Sequence, residues 1–136
     1  MRLEAATLAH VWSHGLARHW HPQPFEYRLV VAETLAGRVW AGVVSDGTPL
    51  VLGGCLAVPG EPGCFWLSVA PGCQTRMLPA VRGMRAQIAI EAGRHPGGVV
   101  AYVRDDNMAG RRLAQLCGFE EGEPAGGVRR EWRRQA

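Results

Sequence analysis

Two histidines near the start of the chain have the spacing at which side chains can share a metal ion. His10 and His14 lie four residues apart in a segment of helical periodicity, so both imidazoles would project from the same side. No acidic residue lies between them in the manner of a zinc protease, and His19 and His21 follow beyond the expected end of the helix. We therefore predict surface or half-buried histidines and no metal site.

The cysteines are the other candidate ligands and nucleophiles. There are four of them, Cys55, Cys64, Cys73 and Cys117, and they contain neither a C-x-x-C motif nor the spacing of a metal site. Cys55 and Cys64 could face each other across a hairpin. Buried free thiols are the favoured interpretation, because we expect the chain to be intracellular.

A third polar group follows a strongly apolar segment. Residues 99–104 form a strand with two largely apolar faces, which is typical of a central strand that is covered on both sides. The next residues can accept hydrogen bonds from the free amides of a helix start: Asp105, Asp106 and Asn107. Residues 113–117 then have helical spacing, and Gly118 suits the left-handed turn that ends a helix.

Two helices are predicted in the first part of the chain. A short strand over residues 2–5 precedes a helix that Thr7 opens, and Pro24 suits the first turn of a second helix that Gly37 closes. The apolar stripe of the first helix is Leu8, Val11, Trp12, Gly15 and Leu16. The inward residues of the second are Tyr27, Val30, Val31 and Leu35.

From Val39 the periodicity becomes that of strands. Residues 39–45, 50–58 and 64–70 are separated by turns rich in Gly and Pro, which predicts an antiparallel meander. A helix over residues 77–92, stopped by Gly93, then leads to the strand 99–104. This βαβ unit predicts a right-handed crossover and a parallel pair of strands. A final strand over residues 128–134 ends the sheet.

The end of this pattern resembles a known family. Asn107, Leu113, Gly118, Phe119 and Glu120 are placed as in the closing signature of the GNAT acyltransferases, which is an Asn, a short amphipathic helix and then Gly-Phe-Glu. The predicted order of elements also matches the GNAT fold. The signature is moderately specific for that fold and much less specific for activity.

The resemblance implies one α/β domain of mixed α+β type over residues 1–136, with a mixed central sheet and helices on both faces. In that family two parallel central strands splay apart around the pantetheine arm of acyl-CoA, and its pyrophosphate rests on the free amides of the following helix. The implied co-substrate is acetyl-CoA or another acyl-CoA, with no metal. The implied binding residues are Leu67, Ser68, Val69, Gln74, Arg76, Met77, Leu78 and Asn107.

The phosphate-binding segment departs from the family pattern. That pattern has glycine or alanine at two places where this chain has Met77 and Pro79, although Gln74 is retained. A Cβ hinders close approach of the backbone to phosphate, and proline has no N–H to donate. The charge of Arg76 could offset part of this loss.

The groups that handle protons in the family are also missing at their usual places. Ala114 stands where the family often has a tyrosine that acts as the general acid. Residues 65–68 contain no glutamate, which is often the family's general base. Glu33, on the second helix near the expected acceptor side, is a candidate base, and a solvated helix carboxylate is its alternative interpretation. Asn107 is expected to cap its helix, with a contact to acyl-CoA as a compatible second role.

Two functions from different classes follow from the resemblance. The first is an N-acetyltransferase that moves an acetyl or acyl group from acyl-CoA to an unknown amine. The second is a non-catalytic structural or interaction module, such as a phage or prophage virion-associated protein. Trp66 and the altered segment 74–79 are similar to features of such phage proteins. The oligomeric state stays open, a homodimer being one option.

Composition limits the other functions. Apolar residues make up 47% of the chain, charged residues 20%, and the net charge is +3, which is typical of an ordinary globular domain and indicates no general polyanion partner. No run approaches a membrane span and no signal peptide is evident, so we expect a cytoplasmic protein without a membrane partner. The arginines of residues 129–134 fall on both faces of the final strand, which favours a solvated edge strand over a nucleic-acid surface.

The departure at the phosphate-binding segment generates a first prediction. If acyl-CoA binds, Arg76→Ala weakens binding about tenfold or more, because a charged hydrogen bond contributes roughly 1.5–3 kcal/mol. Arg82→Ala is the control, and its dissociation constant for acetyl-CoA, measured by calorimetry, stays near that of the parent. Equal affinities for the two variants would place the phosphates elsewhere.

Overall fold

The computed structural model describes residues 2–16, 24–70 and 77–135, with the side chains of residues 14–16, 24–27 and 77 left out. The elements in chain order are β1 (Arg2–Ala5), α1 (Leu8–Leu16), α2 (Pro24–Leu35), β2 (Val39–Val43), β3 (Pro49–Leu56), β4 (Gly63–Val69), α3 (Met77–Arg94), β5 (Val99–Arg104), α4 (Met108–Leu116), β6 (Glu120–Gly126) and β7 (Arg129–Arg134). The strands form a mixed seven-stranded sheet in the order β1-β2-β3-β4-β5-β7-β6. This is the predicted mixed α/β architecture.

The chain divides into two compact units. The first comprises Met1–Leu56 and Leu67–Ala80. Within it β2 pairs antiparallel with both β1 and β3, and α1 and α2 pack on these strands. Its core is aliphatic, as expected for strands with alternating apolar residues. Its most deeply buried large aliphatic side chains are Val11, Val39, Val43, Val51 and Leu52.

The helices of the first unit confirm the predicted caps and correct the predicted faces. The Thr7 hydroxyl accepts a hydrogen bond from the His10 amide at 3.2 Å, and His10 Nδ1 accepts one from the Thr7 amide at 3.1 Å. This is a reciprocal cap like the capping box. Leu35 is 71% exposed, so the prediction that it faces inward was wrong, and Trp12 on the predicted apolar stripe of α1 is 61% exposed. Val11 of α1 and Val30 of α2, which belong to the same predicted sets, are buried as expected.

The second unit comprises Ala57–Trp66 and Val81–Ala136. Here β4 and β5 are parallel neighbours, with Gly63 opposite Val99 and Cys64 opposite Val100, which confirms the predicted parallel pair. β7 pairs antiparallel with β5 along its whole length and also with β6. The core of this unit is partly aromatic, since the rings of Phe65 and Phe119 lie 6.0 Å apart.

Three predictions about the second unit need correction. β6 was not predicted, because Glu120–Gly126 has no apolar alternation and is held by main-chain pairing to β7. As a result β7 is an inner strand and not the edge of the sheet. β5 is buried at Val99 and Val100 only, while Tyr102 is exposed, so it is not covered on both faces along its length.

The helix α3 also extends further than predicted. It runs through Gly93 to Arg94, where the sequence predicted an end at Ala92. Gly93 has no positive φ, and the glycines that do adopt the left-handed conformation after this helix are Gly97 and Gly98. No described helix has both the length and the apolar character needed to cross a membrane.

None of the described cysteines forms a disulfide, and Cys55 and Cys117 are buried as predicted, whereas Cys64 is half-buried; Cys73 lies outside the described residues. Burial raises the pKa of Cys117 to about 11, and it also raises the pKa of Cys64. Both groups are therefore protonated near neutral pH and are poor nucleophiles.

Gly98, in the second unit, lies where there is no room for a side chain. Its φ is +80°, and a Cβ there would lie 2.1 Å from the carbonyl oxygen of Arg134 on β7. The Gly98 carbonyl accepts a hydrogen bond from the Gly63 amide at 3.1 Å, where β4 begins. The start of the parallel pair and the end of β7 therefore both depend on this glycine.

Gly98→Ala is expected to destabilise the protein by about 3 kcal/mol or more, because left-handed strain adds to a backbone overlap. Gly93→Ala is the matched control. Gly93 lies within α3 with open space at its Cβ position, so alanine there stabilises by about 0.5–1 kcal/mol. Denaturant unfolding of both variants measures the difference, and similar stabilities would contradict this account of Gly98.

Candidate functional site

The strand residues that the resemblance assigns to acyl-CoA lie on the C-terminal half of β4, in the first unit. Ser68 is buried, while Leu67 and Val69 are half-buried. The amide of Ala70 donates a hydrogen bond to the Leu50 carbonyl of β3 at 2.8 Å, which fixes the end of this segment. The described pairing of β4 with β5 covers its first residues, and the splay further along stays a prediction.

The helix start that would face the phosphates is described from Met77 onward. Gln74 and Arg76 lie outside the described residues. Pro79 is the third residue of α3, which confirms its predicted place in the first turn. The first four amides of a helix have no partner within it, and proline offers none. Leu78 is 72% exposed, so the described residues leave most of it uncovered.

Asn107 is the N-cap of α4, as predicted. Its Oδ1 accepts a hydrogen bond from the Gly110 amide at 2.9 Å. A Cβ on Gly110 would lie 2.5 Å from Nδ2 of Asn107, so the glycine leaves room for the cap. At the other end of α4, Gly118 has φ +90° and closes the helix, which also agrees with the sequence.

Glu33 on α2 is neither fully solvated nor deeply buried, with 21% of its side chain exposed. Its Oε2 atom is buried and has no hydrogen-bond partner among the described residues. Arg38 Nε lies 3.8 Å away, within ion-pair range but beyond a hydrogen bond, and the Arg38 amide donates to the Glu33 carbonyl at 2.9 Å. The carboxylate therefore keeps an acceptor oxygen for another donor, which the interpretation as a solvated helix carboxylate did not predict.

Ala114, at the place of the family's usual tyrosine, is buried in α4. Its methyl group can neither donate nor accept a proton. Its carbonyl accepts a hydrogen bond from the Phe119 amide at 3.0 Å, which helps to close α4. The residue therefore has a structural part in the second unit, and no proton transfer can be assigned to it.

A groove on α4 was missed by the sequence analysis. It is an open depression along one side of the helix, bordered by Met108, Ala109, Arg111, Arg112 and Gln115. Arg111 is engaged by Glu121 at 3.1 Å, whereas Arg112 is exposed and has no ion-pair partner within the described part of the chain. The sequence did contain a signal for this groove, because the adjacent arginines Arg111 and Arg112 give α4 positive charge that suits an anion.

A buried carboxylate at the end of α3 was also missed. Glu91 is 6% exposed, and its two oxygens lie 3.1 Å from Arg94 Nη1 and 3.0 Å from His95 Nε2. Burying a carboxylate is costly unless it is paired, and both oxygens have partners here. The spacing i, i+3 and i, i+4 from Glu91 was the signal for this cluster.

The predicted site residues are divided between the two units. Those in the first unit are Glu33, Leu67, Ser68, Val69, Met77 and Leu78, and Asn107 belongs to the second. Of the two histidines considered for a metal, only His10 has a described side chain. His10 takes part in the cap of α1 and lies 3.6 Å from Glu4, and the side chain of His14 is outside the described residues.

Comparison with known proteins gives matches of structure. No protein-family model matches the chain, and no curated protein matches it. Ard1 from Thermoplasma volcanium has a TM-score of 0.73 at 13% identity, over 99% of this chain and 97% of its own. A ribosomal-protein-alanine N-acetyltransferase from Brucella melitensis has a TM-score of 0.69 at 14% identity, over 97% of this chain and 96% of its own.

A third similar structure is an acetyltransferase from the GNAT family of Colwellia psychrerythraea. Its TM-score is 0.68 at 13% identity, and the match covers 97% of this chain and 49% of that one. Sequence identities this low establish the fold alone. The predicted fold is confirmed by these likenesses.

The cap of α4 generates a prediction about stability. Asn107→Ala removes the acceptor for the Gly110 amide and lowers the free energy of unfolding by about 1 kcal/mol. Asn107→Asp retains an acceptor oxygen at the same place and keeps the stability of the parent, since aspartate caps about as well as asparagine. Thermal or denaturant unfolding measures both variants, and equal losses would contradict the assigned cap.

Proposed function

We propose that this chain, which has the fold of the GNAT acetyltransferases, binds an acyl-CoA and transfers the acyl group to an amine. One observation carries the proposal. The parallel neighbours β4 and β5 are joined through α3, whose first turn begins at Met77, in a fold shared with N-acetyltransferases. The start of a helix after a strand favours the phosphates of a nucleotide.

The reaction is a direct transfer between two substrates. The lone pair of a neutral amine attacks the thioester carbonyl carbon, so a C–N bond forms and the C–S bond breaks. The amine loses a proton to a base or to water, and coenzyme A leaves as a thiolate that takes a proton from solvent. Backbone amides that polarise the carbonyl would stabilise the charge that develops on its oxygen.

Acyl-CoA is proposed to contact the residues that the resemblance assigns. Leu67, Ser68 and Val69 would supply backbone groups to the pantetheine arm. The start of α3 would face the phosphates with the amides of Met77 and Leu78, and with Gln74 and Arg76 preceding it. The missing donor at Pro79 makes this end of the helix a weaker anion site than a glycine-rich turn would be.

The groove on α4 is proposed to supply further contacts. Arg112, which has no ion-pair partner among the described residues, supports a role in holding a phosphate, because guanidinium groups bind phosphate oxygens through two donors at once. Asn107, at the start of the same helix, would keep its cap through Oδ1 and offer Nδ2 to acyl-CoA.

Glu33 is proposed to accept the proton of the acceptor amine. Its buried oxygen has no hydrogen-bond donor among the described residues, and its ion pair with Arg38 is long. With 21% of its side chain exposed, this carboxylate could accept the proton of the amine directly or through a water molecule. Since Ala114 offers no acid, the thiolate would leave without a donor from α4.

The second candidate function is a non-catalytic module of the same fold. The observations that favour it are the buried methyl group of Ala114 and the proline in the first turn of α3. Such a module would keep the fold and lack turnover. A virion-associated protein of a phage or prophage is one example of this class.

Calorimetry with acetyl-CoA, followed by a panel of amines and peptides with thiol release as the readout, tests the proposal. We expect binding, and slow turnover on simple amines, because positioning of a suitable acceptor must supply most of the acceleration. Glu33→Gln is expected to lower turnover about a hundredfold with little change in acetyl-CoA affinity. Glu61→Gln, at an exposed carboxylate in the β3–β4 turn, is the matched control.

Each outcome separates the candidates. A folded protein that does not bind acetyl-CoA favours the non-catalytic module. Fast turnover on many simple amines contradicts the proposed dependence on acceptor positioning. Parent-like activity in Glu33→Gln excludes Glu33 as the base.

A further inference from the structure

The turn between β5 and α4 is tied to the β6–β7 hairpin within the second unit. The Asp105 amide donates to the Val128 carbonyl at 2.7 Å. The Asp105 carboxylate accepts two hydrogen bonds from Arg130 of β7, from Nε at 3.0 Å and from Nη2 at 3.4 Å. Backbone and side chain therefore hold the same residue from the hairpin side.

Arg130 uses each nitrogen of its guanidinium. Nη1 donates to the Gly122 carbonyl of β6 at 3.0 Å, while the other two nitrogens hold Asp105. The planar fork of arginine matches this set of acceptors, and an ammonium group cannot reproduce it. The contact is therefore specific in geometry as well as in charge.

These contacts extend to Arg111, which lines the groove on α4. Arg130 Nε lies 3.3 Å from Oε1 of Glu121, and the same oxygen accepts a hydrogen bond from Arg111 Nη2 at 3.1 Å. Arg111 Nη1 reaches back to the Asp105 carbonyl at 3.4 Å. Asp105, Arg130, Glu121 and Arg111 thus form a closed ring, which we name the turn clamp.

We propose that Arg130 is a positioning residue that fixes the turn from which Asn107 caps α4. Asn107 is two residues from Asp105, and Arg111 lines the groove, so a displaced turn would move both. The turn clamp is partly exposed, with 26% of the Arg130 side chain accessible, so it adds little to global stability and acts on local geometry. Its effect on acyl-CoA binding rests on the proposed function.

The test uses Arg130→Lys and Asp105→Asn, which change the fork or the carboxylate with minimal change in size. Arg133→Lys is the matched control, because Arg133 lies on the same strand and pairs with Glu131 in an exposed pair. Hydrogen exchange of the Gly110 amide, which reports the Asn107 cap, is measured by NMR. Calorimetry with acetyl-CoA is the second readout.

Gly110 exchange is expected to be about tenfold faster in Arg130→Lys and Asp105→Asn, with parent-like exchange in Arg133→Lys and parent-like unfolding midpoints in all three. Acetyl-CoA affinity is expected to fall threefold to tenfold in the first two variants. Unchanged Gly110 exchange in Arg130→Lys overturns the inference. Failure of the parent to bind acetyl-CoA overturns the proposed function, and the exchange measurement still decides the role of Arg130.

Discussion

Three strands of the second unit meet at Gly98, and this contact is the constraint on which the parallel pair depends. Its carbonyl binds the start of β4, its chain continues into β5, and the Arg134 carbonyl of β7 occupies the place of a side chain. Because β4 pairs with β5 at their first residues, the register of the two strands is set there. The proposed acyl-CoA contacts on β4 lie C-terminal to this point, so their alignment along the strand depends on the pairing set there.

The sequence was sufficient to predict the elements that pack through apolar side chains. The strands of the meander, the crossover helix and the capped helix α4 follow from periodicity together with the cap at Asn107 and the turn at Gly118. β6 could not be predicted, because Glu120–Gly126 is held by main-chain hydrogen bonds and its side chains have no buried period. Trp12 is an error of another kind, because it lies on the predicted apolar stripe and is exposed. Helical spacing identifies an apolar stripe but does not show how much of that stripe the neighbouring elements cover.

The candidate site was predictable where a residue has a local role. Asn107 caps α4 through a residue three positions away, so the sequence contains both partners. The environment of Glu33 depends on Arg38, beyond the end of its helix, and the partners of Arg130 lie as far as 25 residues away. The pair between Arg130 and Asp105 is set by the register of β7 on β5, which composition and spacing do not determine.

The strand β6 has a consequence for how copies of the chain can meet. It lies at one end of the strand order, where its outer backbone groups could recruit another strand. Pro124 provides no donor, and the pairing with β7 is irregular between Glu121 and Gly126. A second copy aligned there in parallel and in register would also bring the glutamates of both strands together. This edge therefore resists growth into fibrils.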